Sequence, residues 1–395
     1  MSTTVTETES WGSRLGNSIK GVLFGLVLFV LGFPVLFWNE GNTVKTRKAL
    51  EEGQGVCVSV ESNEAVDPAL EGRLVHMSGL ADTREVLADP QFGISETAIK
   101  LVREVEMYQW QEESHTTEKK NVGGSVTKTT TYTYDKTWSS SVIDSSSFRE
   151  AGHDNPAAME FQSCASAAKL VTFGAFRLSD GQIGRIGGEQ PCVFEQDYVC
   201  PVPRAKVIGS MIYVPNAATR LNEKNLRDPV AEPRIGDMRI SFSVVKPHDI
   251  SLVARQHGDS FVPYVAKNGR KVQLLSDGTK DADEMFADAQ NANSFMCWIL
   301  RLAGFLMMFI GVKTVLKPLS VLGDVLPFLG DLLEMGAGLA AFAVAAPCAL
   351  VTIAVAWFFY RPEAAVLLVL AACAIVYLSW RRKQAKNASA AQPAP

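Results

Sequence analysis

Three charged side chains lie in or beside apolar stretches of this sequence, where a charge is costly and could serve the movement of an ion or a substrate. Arg301 is the seventh residue of the apolar run 295–312, and Asp324 and Asp331 are seven residues apart, on one face of a helix. A charge at the centre of a membrane helix costs at least about 2.5–3.5 kcal/mol unless it pairs or reaches the interface. If the three side chains line one polar path, the protein is a component of a channel or transporter.

Residue types that carry enzyme chemistry are present, but not in a catalytic pattern. The five histidines form no His-Glu-x-x-His motif or other metal-ligand spacing, and no Gly-x-Ser-x-Gly motif occurs. Gly181–Gly188 lacks the Lys-Ser/Thr ending of a phosphate loop, and His153 is best explained as a residue that holds a loop by a hydrogen bond. We therefore predict a non-enzymatic protein with no catalytic residue, no cofactor and no bound metal.

The distribution of apolar residues predicts a membrane protein. Hydrophobic residues make up 47% of the 395. They concentrate in four runs, each near the roughly 20 residues that cross about 30 Å of hydrocarbon. The predicted spans are residues 21–38, 295–312, 335–360 and 364–380. The net charge of −4 excludes a generally basic nucleic-acid-binding protein.

Charges beside the spans predict the orientation of the chain. The tail, residues 381–395, carries four basic residues and no acid: Arg381, Arg382, Lys383 and Lys386. Such a tail is typical of a cytoplasmic segment. Counting back across four spans places residues 1–20 in the cytoplasm and residues 39–294 in a large extracytoplasmic domain.

Two stretches near the third span could mediate contacts in the membrane. Residues 313–334 combine leucines with acids and are broken at Pro327, so we predict an amphipathic segment lying on the membrane or a re-entrant helix pair. Within the third span, Gly336, Ala340 and Ala343 are small residues that would let a second helix approach closely. That second helix could belong to another copy or be the fourth span.

The domain between the first two spans has more strand than helix character. Alternating residues predict strands over 101–110 and 129–138, with the tip of the loop between them at Gly123-Gly124. Asn268-Gly269 predicts a tight hairpin, and Gly53 is expected to end a short helix over 45–52. The fold class is thus a multi-pass α-helical membrane protein with four spans and a β-rich α+β domain.

Four cysteines lie in this domain, an even count that permits two disulfides in an oxidising compartment. Cys192 and Cys200, eight residues apart, are the best pair, because adjacent strands could bring them together. Two buried free thiols are the alternative.

Several motifs, in order and with their spacing, carry a resemblance that covers roughly residues 20–365. They are FWNEG at 37–41, EMYQW at 106–110, GHDNP at 152–156, GDSFVPY at 258–264, EMF at 284–286 and KPLSVLGDVLPFLG at 317–330. Together they resemble the transmembrane protein 43 family, also called LUMA. The resemblance implies four spans, a large non-cytoplasmic domain and no agreed enzyme activity. In animal members it further implies the endoplasmic reticulum and inner nuclear membrane.

The resemblance favours a membrane scaffold that self-associates and organises membrane-protein complexes, with the outer domain as a binding or sensing module. The expected partners are the lipid bilayer, further copies of the chain and other membrane proteins. The outer domain contains no Asn-x-Ser/Thr glycosylation site, and the tail is rich in alanine, proline and glutamine. These features favour a bacterial inner membrane with a periplasmic domain over a eukaryotic membrane.

Overall fold

A computed structural model describes residues 2–194, 197–216 and 232–361. The predicted fourth span, the basic tail and Met1 lie outside the described residues. The described chain has two compact units. The first, called here the sheet unit, comprises Met1–Glu7, Ala49–Glu118 and Lys128–Ala289; the second, the helical unit, comprises Thr8–Lys48, Lys119–Thr127 and Gln290–Pro395, described up to residue 361.

The described residues contain four α-helices: α1 Trp11–Val56, α2 Asp180–Ile183, α3 Ala282–Gly323 and α4 Pro327–Tyr360. The first ten strands of the described chain are β1 Ser2–Glu9, β2 Val58–Ser59, β3 Leu74–Asp82, β4 Val86–Asp89, β5 Ile94–Thr97, β6 Lys100–Lys120, β7 Val126–Ser139, β8 Cys164–Ala167, β9 Thr172–Phe173 and β10 Phe176–Arg177. The later strands are β11 Gln190–Pro191, β12 Lys206–Ile208, β13 Met211–Val214, β14 Met238–Val245, β15 His248–His257, β16 Ser260–Val262, β17 Tyr264–Val265, β18 Lys271–Val272 and β19 Leu274–Asp277.

Two larger sheets make up most of the sheet unit. One has eight strands in the order β1-β7-β6-β14-β13-β12, with β11 on β14 and β8 on β6. The other has seven strands in the order β19-β15-β16-β10-β9-β3-β2, and β15 also pairs with β3. Each sheet has its own apolar core, centred on Phe92 and Phe242 in the first and on Phe173 and Phe261 in the second. The prediction of a β-rich domain is confirmed.

The predicted strands are confirmed, and the loop between them is shorter than predicted. β6 continues to Lys120 and β7 begins at Val126, so strand structure covers most of the stretch that the polar sequence assigned to a loop. Gly123 and Gly124 form the tip, both with positive φ, which glycine adopts without steric cost. The hairpin at Asn268-Gly269 is also confirmed, since β17 and β18 pair across it.

The short helix predicted over 45–52 is instead the last part of α1, which passes Gly53 and ends at Val56. The prediction of a stop at Gly53 is wrong. A side chain at this position would come within 3.2 Å of the Phe286 ring, so the glycine allows close packing of α1 on α3. Ala49 and Leu50 fill the same small core.

In the part of the chain that the structure describes, three helices are long and apolar enough to cross a membrane: Trp11–Val56, Ala282–Gly323 and Gly330–Tyr360. They contain the first three predicted spans, and each continues beyond its apolar run. Residues 313–334 do not form a separate element. They are the end of α3, a turn and the first residues of α4, with Pro327 in the first turn of α4, where proline is well tolerated. Whether this stretch enters a bilayer stays a prediction.

The N-terminal residues form strand β1, which pairs with β7 in the eight-stranded sheet. Paired strands lie on one side of a bilayer, whereas the sequence assigns residues 1–20 to the cytoplasm and residues 39–294 to the outside. That assignment stays a prediction. The strand itself was not predicted, because a polar run of Ser, Thr and Glu is equally typical of a solvated terminus.

Candidate functional site

A buried ion pair joins α1 to α3 in the helical unit. Glu40 is 0% exposed. Its Oε1 accepts a hydrogen bond from Nε of Arg301 at 2.6 Å, and its Oε2 accepts one from Nη2 at 2.9 Å. Next to it, the Asn39 side chain donates to the carbonyl oxygen of Cys297 at 3.0 Å. The two-point contact fixes the register of α1 against α3, because a planar guanidinium and a carboxylate match in only a few orientations.

Two tryptophans complete what we call the Glu40 cluster, consisting of Glu40, Arg301, Trp298 and Trp357. The indole nitrogen of Trp357, on α4, donates to Oε2 of Glu40 at 2.8 Å. The Arg301 guanidinium lies 4.7 Å from the Trp298 ring centre and 5.8 Å from that of Trp357, within the range of a cation–π attraction. The three helices described in this unit, α1, α3 and α4, therefore meet at one carboxylate.

A second charged cluster lies where α3 ends and α4 begins. We call it the Asp324 cluster; it consists of Asp324, Arg14, Lys120, Asp331 and Glu334. Nη2 of Arg14 lies 2.5 Å from Oδ2 of Asp324, and Nζ of Lys120 lies 3.1 Å from Oδ1. The same ammonium group contacts Asp331 at 2.8 Å and Glu334 at 3.1 Å. One lysine thus binds three carboxylates.

Backbone contacts hold the tip of the β6–β7 hairpin at this cluster. The Gly123 amide donates to the carbonyl oxygen of Val325 at 3.0 Å. Nη1 of Arg14 donates to the carbonyl oxygen of Gly124 at 2.6 Å, and the Trp11 indole donates to that of Val321 at 2.9 Å. The tip, residues 119–127, is therefore at the same end of the helices as the beginning of α1.

This contact also bears on sidedness. The sequence predicts the tip to be extracytoplasmic, whereas it predicts Arg14 and Asp324 to be cytoplasmic. In the structure Arg14 and Lys120 both contact Asp324, and the side of a membrane on which each lies stays a prediction. Composition alone could not reveal the contact, since Lys120 is one of several charged residues in a polar stretch.

The pKa of Lys120 shows how the cluster holds its proton. Burial alone would lower this pKa, but the hydrogen bonds to Asp331, Glu334 and Asp324 outweigh burial and raise it. The lysine is therefore protonated throughout the physiological range, and the contact does not depend on a titration near neutral pH.

The three residues predicted to share a polar path separate into these two clusters. Arg301 belongs to the Glu40 cluster, and Asp324 and Asp331 belong to the Asp324 cluster. From Arg301 to the end of α3 at Gly323 the helix rises about 33 Å at 1.5 Å per residue. That length is close to the thickness of bilayer hydrocarbon. The clusters lie at the two ends of the apolar helices, and each charge in them has a partner of opposite sign.

Sequence reasoning missed the partner of Arg301, although a signal existed. Glu40 lies just past the apolar run 21–38, one charge in the FWNEG motif, and Arg301 is one charge in the apolar run of α3. Two antiparallel helices that each carry one charge near the same membrane boundary place those charges side by side, as an ion pair requires.

Small residues pack α1 against α3, in addition to the packing that the sequence predicts on α4. A Cβ on Gly25 would come within 2.7 Å of the carbonyl oxygen of Gly311, and one on Gly311 within 2.7 Å of that of Gly25. Glycine therefore lets α1 and α3 approach until their backbones touch. The sequence signal was the repeated glycines of the two helices, Gly21, Gly25 and Gly32 with Gly304 and Gly311.

The predicted packing residues on α4 are exposed in the described part of the chain. Gly336, Ala340 and Ala343 lie on the outside of the helix, whereas the opposite face is buried. The buried face consists of Ala341, Ala345, Ala349, Thr352 and Ala356. The predicted fourth span lies outside the described residues.

The sheet unit offers a cleft of about 380 Å³ on β6. Its floor is a buried ion pair, in which Nη1 of Arg103 lies 2.7 Å from Oδ2 of Asp89. The thiol of Cys164 and the side chain of Gln91 also line it. The cleft is of a size that binds small ligands. The described residues contain no group of three or more histidine, cysteine, aspartate or glutamate side chains that could hold a metal ion.

Cys192 and Cys200 both carry free thiols in the structure. Cys192 is buried and Cys200 packs against the same core beneath the eight-stranded sheet. Burial raises the pKa of the Cys192 thiol, and the nearby Glu96 carboxylate raises it further. The disulfide between them is not formed here and stays a prediction for an oxidising compartment.

Two of the sequence motifs meet in the sheet unit. The Asn155 side chain accepts from the backbone amide of Trp110 at 2.7 Å and donates to its carbonyl oxygen at 2.8 Å, as a neighbouring strand would. His153 stacks on the Tyr134 ring, with centroids 4.0 Å apart, and meets the Trp110 ring edge-on at 4.6 Å. EMYQW and GHDNP thus pack against each other beside β6 and β7.

Comparisons with known proteins agree with this architecture. The family model of transmembrane protein 43 matches residues 107–362. The chain belongs to the transmembrane protein 43 family. Transmembrane protein 43 of Rattus norvegicus is 37% identical over 90% of this chain and 88% of its own length. The protein of Homo sapiens is 36% identical over 95% and 93%, and the homologue of Drosophila melanogaster is 32% identical over 88% and 91%.

No solved structure matches the chain. As a member of the transmembrane protein 43 family with three apolar helices of membrane length, the protein is an integral membrane protein with a large β-rich domain. The matched residues include Arg301, the whole Asp324 cluster except Arg14, residues 107–110 of the EMYQW motif and the whole GHDNP motif.

Proposed function

We propose that this protein is a non-enzymatic membrane scaffold that self-associates through its helices and organises membrane-protein complexes. The observation that carries the proposal is the outward face of α4, where Gly336, Ala340 and Ala343 are exposed. In lipid, helices associate by close packing, and small residues allow their backbones to approach. The charged groups of the two clusters pair within the chain, so the proposal does not assign self-association to them.

The sheet unit is the binding or sensing module in this proposal. The cleft above the Arg103–Asp89 pair supports that role, since it presents polar groups on a rigid sheet. Other membrane proteins are the proposed partners. The proposed location is the inner membrane of a bacterium, or the endoplasmic reticulum or inner nuclear membrane if the chain is eukaryotic.

A channel or transporter component is the alternative. It has weaker support, because Arg301 lies about 33 Å along α3 from the end where Asp324 and Asp331 lie, and all three are paired. Currents across bilayers that hold the purified protein, altered by Asp324→Asn, would favour the alternative over the scaffold.

A pair of leucine substitutions on α4 tests the scaffold. Ala340→Leu adds bulk to the exposed face, and we expect normal expression and a smaller particle in mild detergent. Ala345→Leu is the matched control on the buried face, where Ala345 is 0% exposed and packs near Leu36 and Met308. Overpacking there costs roughly 1–3 kcal/mol, so we expect poor expression of the folded chain.

Two outcomes would contradict the proposal. If Ala340→Leu expresses as poorly as Ala345→Leu, its face packs within one chain. If the unmodified protein is a monomer at every concentration, in several detergents and in nanodiscs, the scaffold loses its main support.

A further inference from the structure

Three lysines on α1 and α3 lie at the level where the apolar runs of these helices end. Lys20 directly precedes Gly21, and Lys313 directly precedes Thr314. A Cβ on Gly21 would lie 3.5 Å from Cγ2 of Thr314, so the two helices touch at this level. Lys317 is one helical turn beyond Lys313, on the same face.

The geometry of the helix pair puts these lysines on one flank. Gly21 of α1 and Thr314 of α3 lie on the contact line. Each residue along an α-helix is rotated by about 100° from the one before it. Lys20 and Lys313 are thus turned by the same angle, in the same sense, away from that line. In an antiparallel pair, equal rotations lead to the same flank, so the lysines converge there.

The three lysines differ from the cations of the two clusters in being exposed. Within the described residues none of them makes an ion pair or a side-chain hydrogen bond. The surface around them is apolar, with Ile19 57%, Leu23 71% and Leu319 57% exposed. Three unpaired charges beside an apolar surface suit a ligand that is anionic at one end and apolar along the rest.

We propose that Lys20, Lys313 and Lys317 bind the phosphate of an anionic phospholipid in the leaflet at the end where α1 begins. Each ammonium group can contact phosphate oxygens as a point charge, while the acyl chains cover the apolar side chains beside them. A lysine near an anionic membrane surface strengthens binding about fivefold. Phosphatidylglycerol and similar headgroups without a compensating positive charge are the matching class.

Native mass spectrometry of the purified full-length protein tests the site. The protein is incubated with phosphatidylglycerol or phosphatidylcholine, and bound lipid is counted at each concentration. We expect the unmodified protein to prefer phosphatidylglycerol, and the variant K20Q/K313Q/K317Q to lose roughly a hundredfold in that preference. The control K169Q/K206Q/K271Q removes the same charge from exposed lysines of the sheet unit and should keep the preference.

Further measurements distinguish lipid phosphate from inorganic phosphate and control for misfolding of the triple variant. Inorganic phosphate should not displace the lipid at equal concentration, because the apolar contacts are missing. The single variant K313Q should lose about fivefold in its preference for phosphatidylglycerol, and K313R should keep most of that preference. The proposal is overturned if the triple variant keeps the preference, if the control loses as much, or if inorganic phosphate competes equally.

Discussion

The Glu40 and Asp324 clusters use the same chemistry at the two ends of the helices and differ in what supplies the partners. Each has a buried carboxylate, Glu40 at 0% and Asp324 at 1% exposed, paired with an arginine. In the Glu40 cluster all partners lie on long helices. In the Asp324 cluster one partner, Lys120, comes from a hairpin tip. The first cluster can therefore fix helix register, whereas the second joins separate pieces of chain.

Water reaches the two clusters to different extents. The side chain of Arg301 is 13% exposed and is covered by tryptophans. Lys120 is 21% exposed, and its partners Asp331 and Glu334 are 70% and 52% exposed. Exposed ion pairs are weak because water and salt screen them. We expect the Glu40 cluster to come apart only when the whole protein unfolds, and the Asp324 cluster to come apart by local opening of the tip.

The largest expected effect concerns the side of the membrane on which the tip lies. Cysteines placed by Lys120→Cys and Asp331→Cys should be joined in native membranes by a short bismaleimide, because the two side chains touch. A bilayer between them would abolish the reaction completely. Trp38→Cys with Asp331→Cys is the control pair, since Trp38 is exposed near the opposite end of the apolar part of α1. Absence of the Lys120–Asp331 product would show that the tip contact does not form in membranes.

Breaking the Glu40 cluster should have the next largest effect. Glu40→Ala leaves the Arg301 guanidinium buried without its carboxylate, at a cost of about 3–5 kcal/mol in the free energy of unfolding. Replacing both partners, Glu40→Leu with Arg301→Met, should cost much less because no charge remains. Thermal unfolding in one detergent measures the three proteins. If the double variant is as unstable as Glu40→Ala, the carboxylate is not compensating the arginine.

Disrupting the Asp324 cluster should loosen the tip without unfolding the helices. Asp324→Asn removes the charge shared by Arg14 and Lys120, but both cations can reach water, so we expect about 1–3 kcal/mol. Amide exchange over residues 119–127 should then be roughly tenfold to a hundredfold faster. Exchange in α1 near Glu40 should be unchanged. Equal acceleration at both places would show that the clusters are not independent.

A glycine next to this cluster offers a second way to disturb it. A Cβ on Gly330 would collide with the Asp324 carboxylate, while one on Gly336 meets nothing within 4 Å. Gly330→Ala should therefore accelerate exchange at the tip as Asp324→Asn does. Gly336→Ala should leave the tip unchanged and stabilise α4 by up to about 1 kcal/mol, since alanine is the better helix former.

Some features of the fold could be predicted from the sequence and others could not. Apolar length and composition predicted the first three spans, because a bilayer imposes one simple requirement on every residue of a crossing helix. The strands around residues 101–110 and 129–138 followed from alternation. The family could be recognised from its sequence motifs. Two of these motifs, distant in the sequence, meet in the fold, where Asn155 binds the backbone of Trp110.

Pairings between distant residues could not be predicted in the same way. Glu40 and Arg301 are 261 residues apart, and nothing local distinguishes Lys120 from its neighbour Lys119. The predicted polar path grouped three charges by their shared apolar surroundings, whereas the structure pairs Arg301 in one cluster and Asp324 and Asp331 in the other. Charge counting likewise assigns whole domains to one side of the membrane and takes no account of contacts between segments, such as those of the tip and of β1.

The smallest expected effect is that of Asp331, the most exposed partner of Lys120. Its carboxylate is 70% exposed, so Asp331→Asn should change the free energy of unfolding by no more than about 0.5 kcal/mol. The substitution should nevertheless change the reactivity of the Lys120 amine. The hydrogen bond from Asp331 is the first of those that raise the pKa of this lysine, and only a neutral amine reacts with an acylating reagent.

Competitive acylation at pH 9 with mass spectrometry measures this, with Lys119 as the neighbouring exposed control. A lysine whose folded pKa lies above its unfolded value of about 10.4 contributes stability that is complete below that value and is lost as pH rises through the folded pKa. At pH 9 the cluster is therefore intact, and Lys120 should react more slowly than Lys119. Asp331→Asn should reduce the difference in acylation rate between Lys119 and Lys120, and Asp324→Asn should reduce it more. Equal rates for the two lysines in the unmodified protein would mean that the tip is free in solution, and the contrast between the two clusters would then reduce to one stable cluster and one transient contact.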